Sequence, residues 1–132
     1  MALTEEQTIE LARSAFDAFN RGDFEAAMEF VNPEIVLARA GGLSEVQGAE
    51  ALRAWMEPDA FASQKLEPQD IYVVGNKALI NVRGTMRGAG SGIEMVLDAW
   101  TVWTLDEEGR VIRMENFLSH EEDGARRALE AP

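Results

Sequence analysis

The chain has 132 residues, enough for one domain with its own core, and its 46% hydrophobic content fits a globular class rather than a disordered one. Twenty-four acidic residues against 12 basic ones leave a net charge of -12, which disfavours nucleic acid and anionic membrane as partners. No cysteine and a single histidine exclude a disulfide framework, a cysteine nucleophile and a thiolate- or histidine-based metal centre, so no metal or other cofactor is expected. No apolar run approaches the roughly 20 residues of a membrane span and no secretory leader is evident, so the expected location is cytoplasmic.

Taken in order, residues 4–20 predict a first helix, with Thr4 as cap, Gln7 closing a capping box, and Ile9, Ala12, Phe16 and Phe19 recurring at helical spacing. Asn20-Arg21-Gly22 stops it, and Asp23 caps a short second helix, Phe24 to Val31, which Asn32-Pro33 ends. Ile35 to Ala38 reads as a short strand, Gly41-Gly42 breaks it, and Val46 adds a brief strand pairing. Ala49 to Met56 is a third helix with Leu52, Trp55 and Met56 on one side, followed by a helical turn within Asp59 to Gln64. From there the pattern alternates as strands do: Leu66 to Val74, a turn at Gly75-Asn76, then Lys77 to Met86. The glycines of the tract 87–92 join two strands and lack a P-loop lysine, so they read as turn residues rather than a phosphate cradle. Ser119 to Leu129 predicts a terminal helix capped by Ser119, with Glu121 and Glu122 in its first turn.

The strongest signal is the hairpin from Ile93 to Leu118, two β-branched and aromatic runs around a turn at Asp106 to Gly109. With Leu105 opposite Arg110, Trp103 opposes Ile112, Thr101 opposes Met114 and Ala99 opposes Asn116. Strand alternation then puts Leu97, Ala99, Thr101, Trp103, Ile112, Met114, Asn116 and Leu118 on one nearly apolar face, the pattern of a pocket wall carrying a few polar groups. The opposite face holds Asp98, Trp100, Val102 and Thr104 against Val111, Arg113, Glu115 and Phe117. Helices first and a strand meander after them give an α+β class, with one curved antiparallel sheet wrapped on the N-terminal helices.

Asn116 is the first candidate site residue, because an unpaired amide on an apolar wall costs about 1–3 kcal/mol unless a ligand or neighbour satisfies it. Thr101 is its companion, and Trp55 with Met56 can close the mouth. His120, on the pocket parity at the end of the last strand, is the one side chain whose ordinary pKa suits proton transfer at neutral pH. Arg39 and Arg83 are alternatives for an anionic group. Trp100 and Phe117 would expose aromatic surface on the outer face and so suggest a homodimer interface. A bulge before Trp100 would invert that strand and turn Asp98 and Glu115 into paired pocket carboxylates.

The segments FDAFNRGDFEAAMEFVNPEIV, VQGAEALRAW and VWTLDEEGRVIRMENFLSHEE, in this order, resemble the nuclear transport factor 2-like superfamily, and within it the SnoaL-like polyketide cyclase and ketosteroid isomerase group. The resemblance spans almost the whole chain as one SnoaL-like domain, 1–132. It implies a cone-shaped sheet closed by helices around a cavity, a cystatin-like roll, and commonly a dimer through the outer sheet face. The isomerases' general-base Asp would fall on Ala38, and their oxyanion donors near Ala15 and on Thr101. An alanine transfers no proton, so the enolisation mechanism lacks its base and its main acid. The catalytic Asp of the cyclases and epoxide hydrolases would fall on Asn116, which can exchange hydrogen bonds with a carbonyl or hydroxyl but cannot take the proton. The hydrolases' Arg and Asp pair finds only Asn81 and Arg83.

The expected function is binding of a small lipophilic carbonyl- or hydroxyl-bearing molecule in the cone, with at most weak isomerase or cyclase chemistry led by Asn116 and His120. Ala38 and Trp55 join the hairpin face as ligand contacts. The alternatives are a SnoaL-like isomerase, cyclase or epoxide hydrolase using Asp98, and a dimeric interaction module without a ligand.

Overall fold

In the computed structural model, which describes residues 3–38, 45–56 and 61–131 with the side chains of Trp55 and Phe61 excluded, the chain begins with helix α1, Glu5–Asn20. Its capping box forms as expected: the Gln7 N–H donates to Thr4 Oγ1 and the Thr4 N–H donates to Gln7 Oε1. Asn20 does more than end the helix. Its amide donates to the Leu66 carbonyl at 2.7 Å and accepts from the Leu66 N–H at 2.8 Å, tying α1 to a strand 46 residues away. Helix α2, Phe24–Met28, is capped by Asp23 and is shorter than expected. The chain turns extended at Val31, so Asn32 and Pro33 lie inside strand β1, Val31–Ala38, rather than before it.

Strand β2, Glu45–Gln47, helix α3, Ala49–Met56, strands β3, Phe61–Val74, β4, Lys77–Gly88, β5, Glu94–Leu105, and β6, Val111–Leu118, and helix α4, Glu122–Glu130, complete the fold. Phe61 to Gln64 belong to β3, which corrects the helical turn expected within 59–64; residues 57–60 lie outside the described part. The sheet has six strands in the order β2-β1-β6-β5-β4-β3. It is antiparallel except where β1 runs parallel to β6, a pairing of distant segments that local sequence does not announce. The helices α1 to α3 close its inner face over a core that includes Phe16, Phe19, Ile35, Leu52, Ile80 and Trp103. The Phe16 and Trp103 rings stack with centroids 5.2 Å apart.

The hairpin forms around the expected turn, where Gly109 takes φ 81°, a left-handed conformation that costs glycine little. Its register differs by two residues from simple counting: Trp103 pairs with Met114, Thr101 with Asn116 and Ala99 with Leu118. One residue of the shift comes from the turn, which sets Leu105 opposite Val111 instead of Arg110, and the other from a bulge at the turn end of β6. Leu105 pairs with Val111 and Thr104 with Arg113, so Ile112 is the extra residue. An even shift keeps Met114 and Asn116 on the inner face, but the bulge turns Val111 into the core in place of Ile112.

On the outer face, α4 seats Ala125 and Leu129 against Leu79 and Val102, with Trp100 and Phe117 packed alongside. The Trp100 indole N–H donates to the Ser119 carbonyl, and the Arg126 guanidinium lies over the Tyr72 and Trp100 rings. Trp100 and Phe117 are thus half-buried beneath the chain's own terminal helix, which corrects the expectation that they form a bare aromatic patch. A short 3-10 turn, Ser119–Glu121, leads into α4, with no side-chain cap from Ser119.

Candidate functional site

Between the inner sheet face and the helices lies an open-mouthed cavity of about 600 Å³, within the range of small-molecule sites. It exists because many side chains around it are small: Ala15 on α1, Ala38 on β1, Ala51 and Ala54 on α3, Gly84 on β4 and Ala99 on β5. Larger groups shape it: Phe16 and Phe19 from α1, Leu66 from β3, Val82 and Met86 from β4, and the stacked Trp103. The polar side chains lining it are Gln64, Thr101 and Asn116. No described lining residue is ionisable.

Thr101 and Asn116 are directly paired across β5 and β6 and share the cavity face, a placement that puts their Cβ atoms about 5 Å apart. Thr101 is only 6% exposed, and its buried Oγ1 has no hydrogen-bond partner among the described residues. Asn116 stands at the open side, exposed, and its amide makes no hydrogen bond among the described residues. A hydroxyl and a carboxamide side by side can both donate to one carbonyl oxygen, or exchange hydrogen bonds with a hydroxyl.

The other expected positions divide. Leu97, Ala99, Trp103 and Met114 line the cavity, as does Ala38. Ile112 does not, displaced by the bulge, and Leu118 lies beyond the wall with 58% exposure. The side chain of Trp55 and the whole of Arg39 fall outside the described residues. His120 is exposed in the 3-10 turn, away from the lining. Asp98 is also away from it: β4 and β5 pair without a register break, so no bulge precedes Trp100, and Asp98 stays on the outer face with the Arg83 Nε at 3.1 Å. Glu115 is held by the Arg113 Nε at 3.3 Å. Asn81 and Arg83 pair with Trp100 and Asp98 on the outer face, so neither can serve the cavity, and the Asn81 amide donates to the Ala99 carbonyl.

Sequence reasoning missed the contribution of β4. Val82, Gly84 and Met86 alternate into the cavity, and that alternation was visible in the strand, but its facing follows only from pairing with β5. It also missed Gln64 and Leu66, at positions where the pattern predicts a helical turn and the start of a strand.

The family model for the SnoaL-like domain matches residues 12–114, most of the chain, and the protein belongs to that family. No functionally curated protein matches it. Among solved structures, the chain is similar to SalBIII, described as an epoxide hydrolase/cyclase-like enzyme in pyran ring formation in the polyether salinomycin. The TM-score is 0.78 at 21% identity, covering 87% of this chain and 92% of that one. A candidate SnoaL-like polyketide cyclase from Jannaschia sp. CCS1 gives a TM-score of 0.75 at 20% identity over 100% and 99% of the two chains. TerC, co-crystallised with polyporic acid, gives 0.71 at 17% identity over 94% and 98%. At these identities the likeness is one of fold.

Proposed function

We propose that the protein binds a small, uncharged, mainly apolar molecule in the cavity, with a carbonyl or hydroxyl of the ligand meeting Thr101 and Asn116. The observation that carries this reading is the cross-strand pair Thr101 and Asn116 on an otherwise apolar wall, neither side chain having a hydrogen-bond partner among the described residues. Leaving such a group unsatisfied costs about 1–3 kcal/mol, which a ligand's hydrogen bond would offset. The positions where the resembled isomerases hold proton-transfer groups, Ala15 and Ala38, line this cavity as methyl groups. General acid-base catalysis needs a titratable group within reach, so the chemistry these lining residues support is polarisation of a bound carbonyl by Asn116 and Thr101 rather than proton transfer. A reaction led by Asp98 has no support in this geometry.

The reading includes a cytoplasmic protein that forms a homodimer on the outer sheet face, where Tyr72 and Val96 remain exposed beside the aromatics that α4 covers. Native mass spectrometry of the protein as purified, followed by denaturing extraction, tests both parts. A dimer that retains a neutral organic molecule agrees with the reading. An extract containing only carboxylates or phosphates would refute the ligand class, and a monomer at micromolar concentration would refute the dimer.

A further inference from the structure

A glycine in the middle of a regular strand weakens it, and Gly84 in β4 has no turn to make and no positive φ. It is buried, lines the cavity, and stands in register between Leu66 of β3 and Leu97 of β5. A Cβ there would lie 3.2 Å from Leu66 Cδ2, 3.6 Å from Met86 Cε and 3.8 Å from the Leu97 carbonyl oxygen, so a methyl group would occupy the cavity edge and push Leu66 as well. The diagonal neighbour of Gly84 on the same face is Ala99, which pairs with Val82. Two residues further along β5 comes Thr101, opposite Asn116. The low side chains therefore form one line across the sheet, from the polar pair over Ala99 to Gly84 of β4, where Leu66 and Met86 flank the missing side chain. Each step of that line is about 7 Å, giving a shelf about 14 Å long with the hydrogen-bonding groups at one end.

We infer that this shelf, Gly84 with Ala99, determines which ligands the cavity accepts: molecules with a hydrogen-bonding group at one end and a flat, rigid apolar body that lies along β5 and reaches the β4 backbone. The inference rests on the ligand-binding reading above and adds the shape of the ligand to it. Short ligands that carry only the polar end do not reach Gly84.

The test uses 4-methylphenol as the short probe and 4-phenylphenol as the long one, both uncharged at pH 7 because phenols ionise near pH 10. Calorimetric titration is run on the wild type, Gly84→Ala and Ala99→Val, with the melting temperature of each. The expected result is at least a fivefold loss of 4-phenylphenol affinity in each variant, with 4-methylphenol affinity within twofold of wild type in Gly84→Ala, whose position lies two steps from the polar pair. Equal losses for the two probes in Gly84→Ala, or no loss for the long one in either variant, would overturn the inference. If Gly84→Ala does not fold, its role is to let the strand bend, and Ala99→Val, a β-branched residue suited to a strand, decides the question for the shelf. Failure of 4-methylphenol to bind the wild type would instead refute the ligand-binding reading on which the shelf depends.

Discussion

Thr101 and Asn116 face each other across β5 and β6 on the cavity wall, and the buried Thr101 hydroxyl has no hydrogen-bond partner among the described residues. Replacing it with valine keeps the shape and removes the unsatisfied oxygen. Thr101→Val is therefore expected to raise stability by about 1 kcal/mol, visible as a shift of a few degrees in the thermal midpoint. The same variant should bind a carbonyl or hydroxyl ligand more weakly, and opposite signs for stability and binding are what a ligand-directed hydroxyl requires. A loss of stability would mean that the hydroxyl has an internal partner.

Asn116→Leu removes the second polar group by substituting an apolar side chain of similar size. The fold is expected to survive, since the amide makes no hydrogen bond among the described residues. Ligand affinity should fall about tenfold, the equivalent of one lost hydrogen bond of about 1.4 kcal/mol. Circular dichroism and a binding isotherm check the two halves separately.

Contrast between buried and exposed candidates gives a third prediction. Trp103→Ala removes a buried ring stacked on Phe16 and is expected to destabilise by about 3–5 kcal/mol in urea unfolding. His120→Ala changes an exposed turn residue and should stay within about 0.5 kcal/mol of wild type. Neither His120→Ala nor Asp98→Asn should alter ligand affinity; a large effect of Asp98→Asn would restore the pocket-carboxylate alternative.

The hairpin turn carries the clearest pH dependence. Burial works against the charged form of Asp106, but hydrogen bonds from the Asn32 amide and the backbone N–H groups of Arg110 and Glu108 outweigh it and hold the carboxyl below its ordinary value of 3.8. A carboxyl whose folded pKa is depressed contributes stability that is present above its unfolded pKa and is lost as pH falls through the lower folded value. Asp106→Asn should therefore cost about 1–3 kcal/mol near neutrality, because the new amide meets the Asn32 amide donor to donor. The gap between variant and wild type should narrow below about pH 4, as the wild type loses the charge that the variant never carries. Urea midpoints measured from pH 7 to pH 2.5 check the sign.

Features set by short-range chemistry were legible in the chain itself. The Thr4 and Gln7 capping box, the Gly109 turn, and the alternation that places Leu97, Ala99, Thr101 and Trp103 on one face each depend on residues a few positions apart. The inner parity of Met114 and Asn116 survived even a wrong register, because a shift of two residues restores the same face. Tertiary structure alone decided what depends on segments far apart in sequence. The bulge that exchanges Ile112 for Val111 answers to core packing, and the parallel seat of β1 on β6 unites residues more than 70 positions apart. The packing of α4 over Trp100 and Phe117, and the depth at which Thr101 lies with no partner, follow from side chains meeting across elements. Caps, turns and alternation are written in local backbone energetics; register, burial and the emptiness of a cavity are properties of the packed whole.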